Sequence, residues 1–266
     1  MIGTLIGDIV GSRFEFDNRK STQFTFFHEN CRPTDDSMMT LAVGQALLDH
    51  RETGEPLDAL AVKWMQRIGR EYPRAGYGGM FRSWLKSEAP CPYHSYGNGA
   101  AMRVGGVGWA ADSEAEVRAF SRAVTGVTHD HPDGLRAAEG IAMCIYLARC
   151  GAHKEEIRRR FTETYFPIGF TIEQRRVGYV FFVDCANSVP EAVQAFYEGR
   201  DFEEVIRLAV SLGGDSDTIA AMAGSIAEAY YGVPEEMRMR ALEYLDERQK
   251  GYLERFEARF SCGKKS

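Results

Sequence analysis

The amino-acid sequence predicts an all-α fold. Apolar residues recur at helical spacing over most of the chain, as at Met39, Val43 and Leu47, and such a stripe forms the buried face of a helix. Helix start and stop signals bound the strongest stripes. Only residues 177–183 combine β-branched and aromatic side chains as a buried strand does, and this run is also short enough for a helix. We therefore predict a compact, all-α orthogonal helix bundle, with a mixed α+β fold as the alternative.

The first element is a segment with a stripe of glycines. Gly3, Gly7 and Gly11 stand four residues apart, so on a helix they form one face without side chains. Another backbone can approach such a face closely. We interpret it as a helix-packing surface, because the spacing is not that of the nucleotide-binding glycine motif.

Proline, acidic residues and glycine mark the ends of the later helices. The clearest stripes predict helices over residues 34–50, 132–151, 219–232 and 234–260. Weaker stripes predict helices over residues 57–68, 79–86, 114–124, 154–161 and 202–210. Residues 73–99 are rich in glycine and proline, which is typical of a long functional loop.

Length and composition limit the function classes. A chain of 266 residues with 44% hydrophobic and 26% charged side chains is typical of a globular protein, and we predict a single domain over residues 1–266 that is a monomer. The net charge of −6 disfavours binding to nucleic acid or membrane. Residues 2–10 are apolar but contain Asp8 and follow no basic leader, so we expect a cytoplasmic protein. Six scattered cysteines predict free core thiols.

Two clusters of oxygen-bearing side chains lie at the starts of strongly periodic helices. Their members are Thr34, Asp35 and Asp36 in the first cluster and Asp215, Asp217 and Thr218 in the second. Helix capping explains either cluster alone, but one residue is enough for a cap, and the surplus carboxylates would repel one another. If the clusters converge, their hard oxygen donors suit two Mg²⁺ or Mn²⁺ ions better than zinc. Such a pair of ions can orient a substrate and activate a water molecule.

A glycine-rich segment between the clusters has the composition of an anion-binding turn. Glycines beside small residues at a helix start allow backbone N–H groups to approach a phosphate, although an ordinary turn has the same composition. His129 is a candidate substrate contact, with a hydrogen-bonded helix start as the alternative. The candidate substrate-binding residues of the turn are Ser95, Tyr96, Gly97, Asn98 and Gly99.

In combination these motifs resemble the ADP-ribosylglycohydrolase family. The resemblance rests on Gly7-Asp8-x-x-Gly11-Ser12 followed by Glu15, on Thr34-Asp35-Asp36, on Gly97-Asn98-Gly99-x-x-Met102-Arg103, on His129, and on Gly213-Gly214-Asp215-x-Asp217-Thr218. These motifs span most of the chain. The resemblance implies a compact all-α fold with a binuclear Mg²⁺ or Mn²⁺ site.

The resemblance also implies a role for each candidate residue. The two acidic clusters would supply the metal ligands, Glu15 and Asp36 would be catalytic, residues 95–99 would bind the diphosphate, and His129 would contact the ADP-ribose. The expected reaction is hydrolysis of the glycosidic bond between ADP-ribose and a protein arginine or serine side chain, or within a small ADP-ribose conjugate. Two alternatives remain open, namely a two-metal nucleotide phosphoesterase and a module that binds ADP-ribose or confers immunity without turnover.

Overall fold

The computed structural model describes residues 1–260 and confirms the all-α prediction for this range. A single antiparallel bridge between Gly97 and Asp184 is the β-type pairing within it. The α-helices of residues 1–260 are, in chain order, α1 (Ile2–Gly11), α2 (Asp35–Thr53), α3 (Leu57–Glu71), α4 (Gly79–Lys86), α5 (Gly105–Ala110), α6 (Glu114–Gly126), α7 (Pro132–Arg149), α8 (Lys154–Thr164), α9 (Ile172–Gly178), α10 (Val189–Glu198), α11 (Phe202–Val210), α12 (Ser216–Tyr231), α13 (Glu235–Leu242) and α14 (Glu247–Arg259).

Helix α1 lies at the centre of the molecule and packs along α12. Its glycine stripe faces α12 directly, since a Cβ atom at Gly7 would lie only 2.1 Å from the carbonyl oxygen of Ala220. At Gly11 it would lie 2.4 Å from the Cα atom of Asp217. The predicted packing role of the stripe is therefore confirmed, and the contact places the C-terminal end of α1 beside the start of α12.

One continuous hydrophobic cluster joins all the helices. Helix α2 packs between α1, α3 and α14, while α12 packs between α1, α10 and α11. Ile6, Leu41 and Ile219 are fully buried in this cluster. The starts of α2 and α12 are thereby held against α1, which is where the acidic clusters lie.

One helix predicted from the sequence is wrong in detail. The single helix predicted over residues 234–260 is two helices, because Asp246 and Gln249 form a capping box that starts α14. The run at 177–183, which the sequence left open between a strand and a helix, supplies the last two residues of α9 and then continues without regular structure; Val177 is 91% exposed.

The cysteines of the described residues form no disulfide bond. The cysteines at positions 31, 91, 144, 150 and 185 are free thiols, but Cys91 and Cys150 are exposed and so are not core residues as predicted. Cys262 lies outside the described range.

Among residues 1–260 we find no helix with the length and apolarity needed to cross a membrane.

Candidate metal centre

The two acidic clusters, far apart in sequence, meet at one place in the structure. Carboxylate oxygens of Asp8 on α1, Asp36 on α2 and Asp217 on α12 all lie within 4.8 Å of one another. A second set, made of Glu15, Asp215 and Asp217, satisfies the same distance. Because Asp217 belongs to both sets, they form one continuous acidic pocket.

Asp8 is a site residue that the sequence analysis did not select. Its Oδ2 atom accepts hydrogen bonds from the backbone N–H groups of Thr34 (2.8 Å) and Ser37 (3.0 Å), and its Oδ1 atom accepts one from the Thr34 hydroxyl (2.6 Å). This fully buried carboxylate therefore performs the N-terminal capping of α2 from a neighbouring helix. A lone acid inside the apolar run of residues 2–10 was the available signal.

The capping explanation of the clusters is not supported by the helix ends themselves. Thr34 and Asp215 are the N-cap residues of α2 and α12, and neither side chain accepts a capping hydrogen bond. The carboxylate of Asp36 points into the pocket, where its Oδ2 atom lies 3.2 Å from the Thr218 hydroxyl and 3.4 Å from the Thr34 hydroxyl. Its buried Oδ1 atom has no hydrogen-bond partner among residues 1–260. A buried carboxylate oxygen without a donor is a position that a cation can satisfy.

Electrostatics point to a cation as well. Burial, reinforced by the neighbouring negative charges, raises the pKa of Asp36 and of Asp217 well above the ordinary value. Burial and then the charge of Asp215 raise the pKa of Glu15 to about 7, and burial and then the charge of Asp8 raise the pKa of Asp35 to about 7. Within residues 1–260, no Lys, Arg or His side chain forms an ion pair with any of these carboxylates. Crowded oxygen donors without a protein cation fit a hard divalent metal.

Asp35 stands apart from the other acids. It is partly exposed and belongs to neither close set of oxygens, and its Oδ1 atom would lie 3.1 Å from a Cβ atom at Gly76. It therefore faces the loop between α3 and α4, at the edge of the pocket.

The segment that carries Glu15 is attached to the turn before α12. Asn18 donates to the carbonyl oxygen of Glu15 (2.9 Å) and accepts a hydrogen bond from the N–H of Gly214 (2.7 Å). Gly213 and Gly214 both have positive φ angles (69° and 68°), a conformation that glycine adopts readily. This attachment holds Glu15 close to Asp215 and Asp217.

The glycine-rich turn borders the acidic pocket. The Nδ2 atom of Asn98 donates to Asp215 Oδ2 (2.6 Å), so this predicted substrate-binding residue links the turn to the acids. The backbone N–H of Gly97 donates to Ser95 Oγ (3.1 Å), and that of Asn98 donates to the carbonyl oxygen of Val183 (2.8 Å). Two of the amides that we expected to hold an anion thus have internal partners.

The other predicted substrate-binding side chains differ in accessibility. Tyr96 is 57% exposed, whereas Ser95 and His129 are buried. The Nε2 atom of His129 would lie 3.3 Å from a Cβ atom at Gly99, so the ring borders the turn directly.

The chain is similar to known proteins in sequence and in fold. The family model described as ADP-ribosylglycohydrolase matches residues 1–262. The chain is 28% identical to "ADP-ribosylhydrolase ARH3" of Mus musculus, in an alignment that covers 88% of this chain and 83% of that protein. It is 26% identical to "ADP-ribosyl-[dinitrogen reductase] glycohydrolase" of Rhodospirillum rubrum, covering 87% and 84% of the two chains. A solved structure titled "ADP-ribosylglycohydrolase-related protein complex" shares the fold, with a TM-score of 0.62, 24% identity and coverage of 96% and 93%.

Proposed function

Because this chain belongs to the ADP-ribosylglycohydrolase family, we propose that it hydrolyses the glycosidic bond between ADP-ribose and an acceptor and so releases ADP-ribose. The acceptor is an arginine or serine side chain of a protein, or the remainder of a small ADP-ribose conjugate. The observation that carries this proposal is the buried Oδ1 atom of Asp36, which has no hydrogen-bond partner in the described part of the chain. It lies in an acidic pocket that a hydrogen bond from Asn98 to Asp215 joins to the glycine-rich turn.

The pocket fits two Mg²⁺ or Mn²⁺ ions. Their ligands would come from Thr34, Asp35, Asp36, Asp215, Asp217 and Thr218. When bound, such ions supply a polarised water and fixed contacts for ribose hydroxyls. Asp217 belongs to both close sets of oxygens, which supports a shared role between the two ions. Asp8 would act behind the ligands, since its hydrogen bonds hold Thr34 in place.

Side chains of the protein would perform the proton transfer and hold the diphosphate. Glu15 lies at the edge of the acidic pocket, with a carboxylate oxygen within 4.8 Å of oxygens of Asp215 and Asp217, which is the place from which a carboxylate would take up and return a proton. Asp36 is the second catalytic candidate because its free oxygen faces the same pocket. Residues 95–99 and His129 would hold the diphosphate, which places the distal ribose over the acids.

Product analysis tests the proposal. We would incubate the chain with Mg²⁺ or Mn²⁺ and with arginine-linked, serine-linked and nucleobase-linked ADP-ribose, and identify the products by chromatography and mass spectrometry. Free ADP-ribose is the expected product. AMP with ribose phosphate would identify a phosphoesterase instead, and tight binding with no product would identify a binding module. The Asp36→Asn variant serves as the control for contaminating hydrolases.

A further inference from the structure

Arg103 is a buried cation without a carboxylate partner. It is only 1% exposed, and among residues 1–260 it forms no ion pair with a carboxylate, although the more distant charges of Asp35 and Asp36 act on it. Instead it donates to the carbonyl oxygen of Gly99 (2.5 Å) and to Thr128 Oγ1 (3.3 Å), and it lies over the ring of Phe81 at 5.2 Å. Burying a charge without a counter-ion in contact is costly, so an anion bound beside this guanidinium would stabilise it.

Arg103 also determines where the proton of His129 lies. Its Nη2 atom is 3.2 Å from His129 Nδ1, and the hydroxyl of Thr128 is 2.7 Å from the same nitrogen. A guanidinium group can only donate hydrogen bonds, so Nδ1 must act as an acceptor and carry no proton. The imidazole is therefore neutral and carries its proton on Nε2.

The Nε2–H group of His129 points to the glycine-rich turn. Nε2 would lie 3.3 Å from a Cβ atom at Gly99 and 3.8 Å from one at Gly97, and Arg103 Nη2 would lie 3.5 Å from the same Gly99 position. In the described part of the chain this N–H has no acceptor, although His129 is only 5% exposed. The amides of Gly97 and Asn98 are already occupied, which leaves the imidazole as a donor for a ligand here.

We propose that Arg103 is a positioning residue that fixes the Nε2–H tautomer of His129. In this tautomer the Nε2–H group donates a hydrogen bond to an oxygen of the substrate diphosphate. Arg103 also places a positive charge beneath that diphosphate. This inference rests on the proposed function, because the anion is the diphosphate of ADP-ribose. A Cβ atom at position 99 would lie 3.3 Å from His129 Nε2 and 3.5 Å from Arg103 Nη2, so a side chain there would take up space beside both donors.

Nuclear magnetic resonance of the wild-type protein tests the tautomer directly. In the full-length chain with Mg²⁺ at pH 7.5, the ¹⁵N chemical shifts of His129 should identify Nε2 as the protonated nitrogen and Nδ1 as the unprotonated nitrogen. Arg103→Lys keeps the charge but loses the planar fork, so His129 should then populate both tautomers. A wild-type ring that is protonated on Nδ1 would overturn the proposal without any variant.

Binding of ADP, which has the diphosphate but lacks the distal ribose, tests the consequence. By calorimetry we expect Arg103→Lys and His129→Leu each to weaken ADP binding about tenfold, and the double variant to be little worse than either single one. Arg149→Lys is the matched control, because Arg149 donates to the carbonyl oxygen of Trp109, away from the turn. Wild-type ADP affinity in Arg103→Lys, or no ADP binding by the wild-type chain, would overturn the positioning role.

The inference and the proposed function can fail separately. Release of ADP-ribose by a wild-type chain whose His129 is protonated on Nδ1 would remove only the inference. The predicted tautomer and ADP binding, in a chain that releases no ADP-ribose from any linkage, would support the role of Arg103 and contradict the proposed reaction.

Discussion

Removing the metal ions should make the stability of this protein fall as the pH rises from about 5 to 7.5. The pKa of Glu15 is raised from 4.5 to about 7 in the folded state, whereas the unfolded chain has the ordinary value. Between these values the folded state binds more protons than the unfolded state, so folding loses free energy as the pH increases. This pKa shift corresponds to a loss of roughly 3 kcal/mol in the free energy of unfolding. Because Glu15 is partly exposed, we expect a loss of about 1–2 kcal/mol.

The assay compares thermal unfolding with EDTA and with Mn²⁺ at each pH. His129, whose pKa is lowered by burial, opposes the trend in both conditions and cancels in the difference. Bound cations neutralise the acids, so the stabilisation by Mn²⁺ should grow between pH 5 and 7.5 by at least 1–2 kcal/mol, or about 2–8 °C in Tm. A stabilisation by Mn²⁺ that is equal at pH 5 and 7.5 would refute the reasoning.

The remaining predictions concern single side chains. Asp36→Asn and Asp217→Asn should each weaken Mn²⁺ binding at least tenfold in calorimetry. The circular dichroism spectrum should stay unchanged, because neither residue caps its helix. Wild-type Mn²⁺ affinity in both variants would indicate that the acidic clusters have only a structural role. Glu15→Gln should lower single-turnover release of ADP-ribose about 10²–10⁴-fold and keep ADP-ribose affinity, and unchanged turnover would exclude it from proton transfer. Gly7→Ala should lower the free energy of unfolding by about 3 kcal/mol or more in urea titrations, since the added Cβ meets the α12 backbone at 2.1 Å. Gly251→Ala is its control, because a Cβ atom there meets nothing within 4 Å, and it should be neutral or slightly stabilising.

Most helices could be predicted because their signals are local. Apolar spacing and end residues place α4 and α11 at their observed bounds, and they place α7 within two residues. Helices α5 and α9 have only six and seven residues, which is too short for a periodic stripe to stand out. The break before α14 depends on Asp246, a single capping side chain inside a longer amphipathic pattern.

The site was harder to predict because it depends on packing between distant segments. Residue types selected Asp36 and Asp217, but their meeting depends on the contact of the α1 glycine stripe with α12 and on the hydrogen bonds of Asp8 to the start of α2. Asp8 is part of the Gly7-Asp8 motif but was not selected as a site residue, because a single acid inside a helix lacks the clustering at a helix start that singled out the other carboxylates. The links from Asn98 to Asp215 and from Arg103 to His129 are tertiary hydrogen bonds, which no local pattern encodes.

One titration tests most directly whether the acidic pocket is a metal centre that releases ADP-ribose. Mn²⁺ is added in steps to EDTA-treated protein, and bound metal per chain and the rate of ADP-ribose release are measured in the same samples. We predict that release is absent without metal and reaches its maximum as about two ions bind per chain. Full release by metal-free protein, or metal binding in the pocket with no release from arginine-, serine- or nucleobase-linked ADP-ribose, would contradict this assignment.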